Sequence, residues 1–568
     1  MTKLNDIEIL EQYIDNTYIP NELLFLKNQP KNITVLNLLR YLEYLHLDYK
    51  IKGNLVTHQD TNHQLIGLNF SLKKWAEKWC ETRDVNNFEF VFDKVYLKKL
   101  EKIFGLSQKY SYIDNWFFYF KKGILFADLQ NNEKKVIIAS RDRDDQLFKI
   151  INSAVGSPHV EKGPNEDRLN NIEKVVKMIA NFLAKNVITN KKFYRYNFNS
   201  EDIKPIYTQF YDSYGIILWS LNETWSLGQY SVKEFREVIA GILTISHIHN
   251  AWCSLLMSKQ MTDHLFNNLV LFFSREKWIK IIQTITNVDK KVIEQIIDQL
   301  TYKHSDDQTR RKIGFTLDIF FEIGNGILAM SHTTARNSNI ERNIWLLLAR
   351  KEEQLHSSLS IEKEKYWLST IIPKLNRNDL VVRADIDIKN KTNIDLLLID
   401  YKSKIGLTIE LKWLTPPNRA LEYCDQDSII YKELKKGQSQ ALICANWANS
   451  NKELLAEKIS ISSRDIQGVN FKGLVLSKNL IGAAALHKEN GVPPIISEEL
   501  FWWILDKPHY KDISILYKIA TEKRFYPKQD KHYKKIKLEL DFAGYKFTQK
   551  DQYVPTDTQW NPNEDIEI

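Results

Sequence analysis

Between Leu380 and Leu414 three strand-length apolar runs follow one another with almost nothing between them: LVVRADIDI, NIDLLLID and IGLTIELKWL. A segment with helical spacing, Ile361 to Leu375, precedes them. A long helical stretch, Ser428 to Ile459, follows, and then FKGLVLS, PIIS and the short apolar helix EELFWWIL. The order αβββαβ(β)α is that of a compact α/β domain with a mixed sheet flanked by helices.

At 568 residues the chain is too long for one core and long enough for two to four domains of roughly 100–200 residues each. Its 19 glycines and 14 prolines are few, which argues against turn-dense all-β folds and for long helices. GILFADL and KVIIAS, joined by the polar QNNEKK, predict a hairpin. The Gly- and Pro-rich Gly156 to Arg168 predicts a boundary, and beyond it apolar residues recur at three- and four-residue steps as far as Arg350. The expected organisation is therefore a mixed α/β domain over 1–155, an all-helical domain over 156–350, the α/β domain over 351–525 and a basic-then-acidic tail over 526–568. The first two make a large, mainly α-helical N-terminal region.

The balance of 79 Lys+Arg against 71 Asp+Glu, a net +8, permits a polyanionic partner without requiring one. Four widely spaced cysteines, Cys80, Cys253, Cys424 and Cys444, build neither a disulfide framework nor a zinc knuckle. The amino terminus lacks an apolar leader, and the most apolar stretch, Val238 to Met257, is broken by Ser246, His247, His249 and Asn250. A cytoplasmic protein with no membrane partner is expected. No phosphate-cradling GxxxxGK[ST] or GxGxxG occurs, so no built-in ATPase or dinucleotide site is expected.

The chemistry is concentrated in the second and third runs. With the turn centred between Lys402 and Ser403, antiparallel pairing sets Asp395 opposite Glu410, and directly opposed residues share a face. Lys412 shares it, while Leu396, Leu398, Leu407, Ile409 and Leu411 take the other. Two carboxylates this close repel unless one is protonated or a cation lies between them. Hard oxygen ligands suit Mg²⁺, with Mn²⁺ as a substitute, and Mg²⁺ keeps waters and accepts phosphate oxygens. Lys412 would then orient or activate the attacking water, or neutralise charge on the phosphate.

Asp395, then Glu410-Leu-Lys412 after a hairpin, with a helix before and a helix after, resembles the PD-(D/E)XK nuclease superfamily, the restriction-endonuclease-like folds. The resemblance covers about residues 351 to 520 and implies metal-dependent cleavage of nucleic acid, with Asp395, Glu410 and Lys412 as the core triad and the two acids as metal ligands. The proline often found before the aspartate is missing, since Asn393 and Ile394 stand there. Glu433-Leu-Lys435 and Glu133-Lys134-Lys135 match Glu-x-Lys as well, but only Glu410 ends an apolar strand with an acid at the matching position of its partner.

Such nucleases often take a further metal ligand from the preceding helix. There Ile361, Glu364, Leu368, Ile371 and Leu375 fall on one face, which makes Glu364 the candidate and Glu362 its competitor. They also often place an amide on the following helix. Gln438 is the catalytic candidate and Gln440 the substrate-binding one, bordering a stripe of Leu434, Gly437, Ala441, Ala445 and Ala448. Lys534 and Lys535 belong to a basic and aromatic stretch, Lys523 to Lys537, that suits a phosphate backbone; a solvated tail is the alternative.

The expected function is a metal-dependent endonuclease acting on DNA, in restriction or anti-phage defence by analogy of architecture. Cutting two strands calls for two sites, which a homodimer would supply. RNA or branched-DNA processing, and a catalytically retired nucleic-acid-binding module, are the alternatives.

Overall fold

The structure is a computed structural model that describes residues 4–51, 64–65, 67–68, 71–81, 85–89, 94–121, 125–140, 166–189, 193–198, 201–218, 221–258, 263–302, 318–337, 344–345, 348, 353–375, 380–388, 392–414, 429–478, 491–505, 513–521 and 533–555. The contacts divide the chain into two compact units, neither of them continuous. One holds Met1–Leu4, Phe118–Val160 and Ser357–Ile568, and the other Asn5–Phe117 and Glu161–His356. This division cuts across the domain order expected from the sequence.

The first unit contains the α/β domain. Its elements are β1 (Leu125–Gln130), β2 (Lys135–Ser140), α1 (Glu353–Leu375), β3 (Leu380–Ile388), β4 (Thr392–Asp400), β5 (Ile405–Lys412), α2 (Ile429–Ser450), α3 (Lys452–Ile459), β6 (Asn470–Ser477), β7 (Ile495–Ser497), α4 (Glu498–Leu505), α5 (Ile513–Thr521), β8 (Tyr533–Phe542) and β9 (Tyr545–Pro555). Strands β3, β4 and β5 form an antiparallel meander, and β6 and then β7 add in parallel beyond β5, giving the order β7-β6-β5-β4-β3. A parallel step needs a crossover, and α2 provides it. The strands at the centre of this sheet are buried on both faces over Leu396–Asp400, Gly406–Lys412 and Gly473–Ser477, as expected where helices cover a sheet on both sides.

The small-residue stripe of α2, Leu434, Gly437, Ala441, Ala445 and Ala448, is buried. It comes close to the sheet at Gly473, where an added Cβ would lie 2.6 Å from the Ala441 carbonyl oxygen. The predicted long helix is two helices meeting at Asn451, whose φ of −128° leaves the helical region.

The hairpin read at GILFADL and KVIIAS is β1 and β2. The C-terminal stretch read as a tail is in part a second hairpin, β8 and β9, and β9 pairs in parallel with β2 to make a sheet ordered β1-β2-β9-β8. The alternating Val136, Ile138 and Phe547 are buried in it, whereas Lys534, Lys535 and Lys537 lie exposed on its edge strand. Charges there are normal on a sheet edge and mask the strand pattern. Lys523, Arg524, Lys528, Lys531 and the acidic terminus lie outside the described residues, as do Cys424 and most of the predicted 156–168 boundary.

The second unit is mainly helical but not entirely so. It carries a strand pair, Val187–Thr189 with Tyr194–Tyr196, and a four-stranded sheet from Leu271–Ser274, Thr301–Tyr302, Phe320–Glu322 and Ile327–Met330. The all-helical expectation fails because these strands have two to four residues each, too short to show a period-two signal. The helix Val232–Met257 is long and apolar enough to cross a membrane, and 67% of its apolar window is buried within the protein. It opens with a capping box, Ser231 and Glu234. Its histidines are internal: His249 Nδ1 bonds the Tyr196 hydroxyl at 2.7 Å, and His247 stacks on Phe210. Trp278 and Trp345 are core residues.

Candidate active site

The β4–β5 register pairs Leu396 with Ile409, Leu397 with Thr408 and Asp400 with Ile405. One further step sets Asp395 against Glu410, the pairing expected from a turn between Lys402 and Ser403. That turn is fixed by Asp400, whose carboxylate accepts from the Lys402 amide and the Ser403 hydroxyl, each at 2.8 Å. Asp395 Oδ2 accepts from the Leu411 amide at 2.8 Å, which orients its carboxylate against β5. Lys412 Nζ donates to Glu410 Oε1 at 2.7 Å, and these two residues are only 8% and 4% exposed.

Three charged groups in so little water perturb one another. Burial, with the Asp395 charge added, pushes the Glu410 carboxyl up to about 7 against the opposing pull of Lys412. Burial raises Asp395 too, and the Leu411 amide and Lys412 oppose the rise. Burial disfavours the Lys412 ammonium, yet Glu410, Glu364 and Asp395 together outweigh it and leave its pKa above the ordinary lysine value. The Lys412 stem crosses α2 at Gly437, where an added Cβ would lie 3.0 Å from its Cε.

Glu364 belongs to the group electrostatically. Burial raises its carboxyl, with Lys412 opposing and Asp395 reinforcing. The face of α1 differs from the one read in the sequence: Ile361 is 60% exposed, and the buried residues are Leu359, Lys363, Trp367, Ile371 and Leu375, with Glu364 partly buried beside them. Docking of Lys363 and Trp367 on Trp413 sets this face. Glu362 is exposed.

Gln438 is buried, and its amide donates to the Pro493 carbonyl at 2.7 Å, which ties α2 to the segment entering β7. Gln440 donates to Thr392 Oγ1 at 3.3 Å, and its own buried carbonyl oxygen has no partner among the described residues. Lys534 and Lys535 are on the other sheet of this unit.

Two residues escaped the sequence reading. Asp385 stands opposite Asp395 on β3, between the pairs Ile394–Ile386 and Leu396–Ala384, with a left-handed φ of +51° and a 3.1 Å bond from Asn393 Nδ2. The same register arithmetic, applied to the first two runs, would have found it. Lys363 on α1 is the other: it is buried, and its Nζ donates to the Trp413 carbonyl at 3.3 Å.

Among the described residues no three His, Cys, Asp or Glu side chains converge as a set able to hold a metal. Mg²⁺ does not demand one, since it binds through one or two carboxylates and completes its octahedron with water and substrate oxygens. Asp395 and Glu410, oxygen donors on one rung with charges that repel, fit that ion.

Fold and site together define a mixed α/β protein with a carboxylate–carboxylate–amine group on its central hairpin, Glu410 and Lys412 buried and Asp395 half-buried. No family model matches the chain, and no curated protein or solved structure matches it either.

Proposed function

We propose that this protein is a metal-dependent endonuclease with a restriction-endonuclease-like domain at residues 351–525, cleaving DNA in a defence role. The observation that carries the reading is that Asp395, Glu410 and Lys412 lie on adjacent strands of an apolar sheet, with Glu410 and Lys412 buried and Asp395 half-buried. Isolated charges are excluded from such a position on energetic grounds, and a buried ion pair is weak evidence for stability alone. Asp395 and Glu410 would hold a divalent ion, Mg²⁺ or Mn²⁺. When bound, the ion supplies Lewis-acid stabilisation of the phosphoryl group. The Leu411 amide keeps Asp395 pointed at β5, and Lys412 donates to the attacking water or to charge building on the phosphate. Glu364 sets the local charge and is the further acid available to the ion.

One observation favours a second reading. Lys412 is bonded directly to Glu410, as it would be in a retired site that keeps the ion pair for structure alone. One experiment separates the two. Supercoiled plasmid, linear duplex, single-stranded DNA, branched DNA and RNA are incubated with Mg²⁺, Mn²⁺ or EDTA and with wild type, Asp395→Ala, Glu410→Ala or Lys412→Ala. The nuclease reading expects products that need metal and fall at least about 100-fold in every variant, the scale of losing one electrostatic catalytic group. Full activity in Glu410→Ala removes the site assignment, and salt-sensitive binding without any cleavage favours the retired module.

A further inference from the structure

An ion pair between two neighbours on one face of a strand has little consequence at a surface, where water and salt weaken it. Glu410 and Lys412 make theirs at 2.7 Å with both residues buried. Among the described residues, neither charged group has a second hydrogen-bond partner. The ammonium stands where negative charge collects: Glu410 holds it directly, and Glu364 and Asp395 attract it from further off.

A divalent ion bound by Asp395 and Glu410 would take that same place. Both cations offset the same repulsion between the same carboxylates. Each acid already has one oxygen engaged, Asp395 Oδ2 by the Leu411 amide and Glu410 Oε1 by Lys412. The first bond is to backbone, whereas the second is to a side chain that can leave. In so little water an ammonium and a divalent ion on one carboxylate repel far more strongly than they would in solvent. The Lys412 stem has clearance on the α2 side, because Gly437 carries no side chain where a Cβ would lie 3.0 Å from its Cε and 3.4 Å from its Cγ.

We propose that Lys412 holds the place of the metal until the metal arrives: binding of a divalent ion at Asp395 and Glu410 breaks the Lys412–Glu410 ion pair, and the released ammonium turns to the attacking water or the phosphate. This deepens the nuclease reading and rests on it. Without metal the lysine is held on Glu410 and the site is silent. With metal, the step that brings the Lewis acid also frees the donor. The direct Lys412–Glu410 bond is then the resting state of a working site.

The test uses the full chain without nucleic acid, so that no readout depends on turnover. Mn²⁺ binding is titrated by electron paramagnetic resonance in wild type, Lys412→Met, Lys412→Gln, Glu410→Ala and Asp395→Ala, and crystal structures of wild type are determined with and without Mg²⁺. Lys412→Met should bind Mn²⁺ at least about tenfold more tightly than wild type, since no resident cation has to be displaced. With Mg²⁺ at Asp395 and Glu410, Lys412 Nζ should lie more than about 4 Å from the Glu410 carboxylate, out of ion-pair reach. Without Mg²⁺ the 2.7 Å bond should be present. An ammonium still on Glu410 in the Mg²⁺-bound structure, or equal Mn²⁺ affinities in wild type and both Lys412 variants, overturns the proposal. If Lys412→Met does not fold because it strands a buried carboxylate, Lys412→Gln and the two wild-type structures decide it. Mn²⁺ binding that survives unchanged in Glu410→Ala and Asp395→Ala, or that is absent from wild type and both Lys412 variants, sinks the nuclease reading and this inference with it. Binding that needs both acids yet leaves the ion pair intact sinks this inference alone.

Discussion

At the scale of single residues, the chain places several ionisable groups where water is scarce, and each gives a measurable pH dependence. Glu43, on the helix Lys31–Ile51 of the second unit, is fully enclosed and accepts from the Thr333 amide at 2.8 Å, the Thr333 hydroxyl at 3.1 Å and the Ser331 hydroxyl. Burial raises its carboxyl from 4.5 to about 7. A raised acid favours the protonated folded state, so its contribution is fully present below pH 4.5 and is lost as pH climbs through about 7. Glu43→Gln cannot ionise, and its stability relative to wild type should improve by about 3 kcal/mol between pH 4.5 and pH 8. Urea unfolding at both pH values checks this, and a difference that stays flat with pH removes the account. The triad was legible at this scale because Asp395 and Glu410 lie equidistant from a polar turn inside apolar runs. Lys363 was not, since a lysine between two glutamates on a helix looks solvated until the tryptophan it meets is known.

At the scale of elements, the αβββαβ(β)α order was readable because each strand is a short, dense apolar run and each helix is periodic. What the sequence hides is how closely elements approach. Gly473 admits the α2 backbone against β6, with the Ala441 carbonyl oxygen 2.6 Å from any Cβ added there. Backbone cannot step aside as a side chain does. Gly473→Ala should therefore destabilise the first unit by about 1–3 kcal/mol, the usual cost of overpacking. Gly437→Ala meets side chains alone, the Lys412 stem at 3.0 Å and Val475 at 3.5 Å, and should cost less stability; under the proposed nuclease function it should also lower cleavage. Denaturation midpoints set beside cleavage rates for the two variants test the contrast, and equal effects on stability would contradict it. The β8–β9 hairpin was unreadable for a different reason. Exposed lysines on its edge strand mask the alternation, and the pairing of β9 with β2, hundreds of residues away, leaves no local mark.

At the scale of the whole molecule, the chain builds its first unit from Phe118–Val160 and Ser357–Ile568, with most of the second unit's sequence between them. A boundary near residue 351 was legible from the change in periodicity, but it is not a place where the chain can be cut cleanly. Residues 351–568 expressed alone lack β1 and β2, so β9 loses the strand that covers it at Val136 and Ile138. Proteolysis should cut within 533–555 in that fragment and spare the same stretch in the full chain. Equal protection in both would show that β2 is dispensable.

The same pairing also sets an order of events during synthesis. Residues 125–140 leave the ribosome long before 533–555 exist, so β1 and β2 wait with the β2 edge unpaired while Glu161–His356, the larger part of the second unit, is made. The second unit can finish folding first. Nascent chains stalled after residue 356 should accordingly hold a formed second unit and a bare hairpin, the species a chaperone would have to shield.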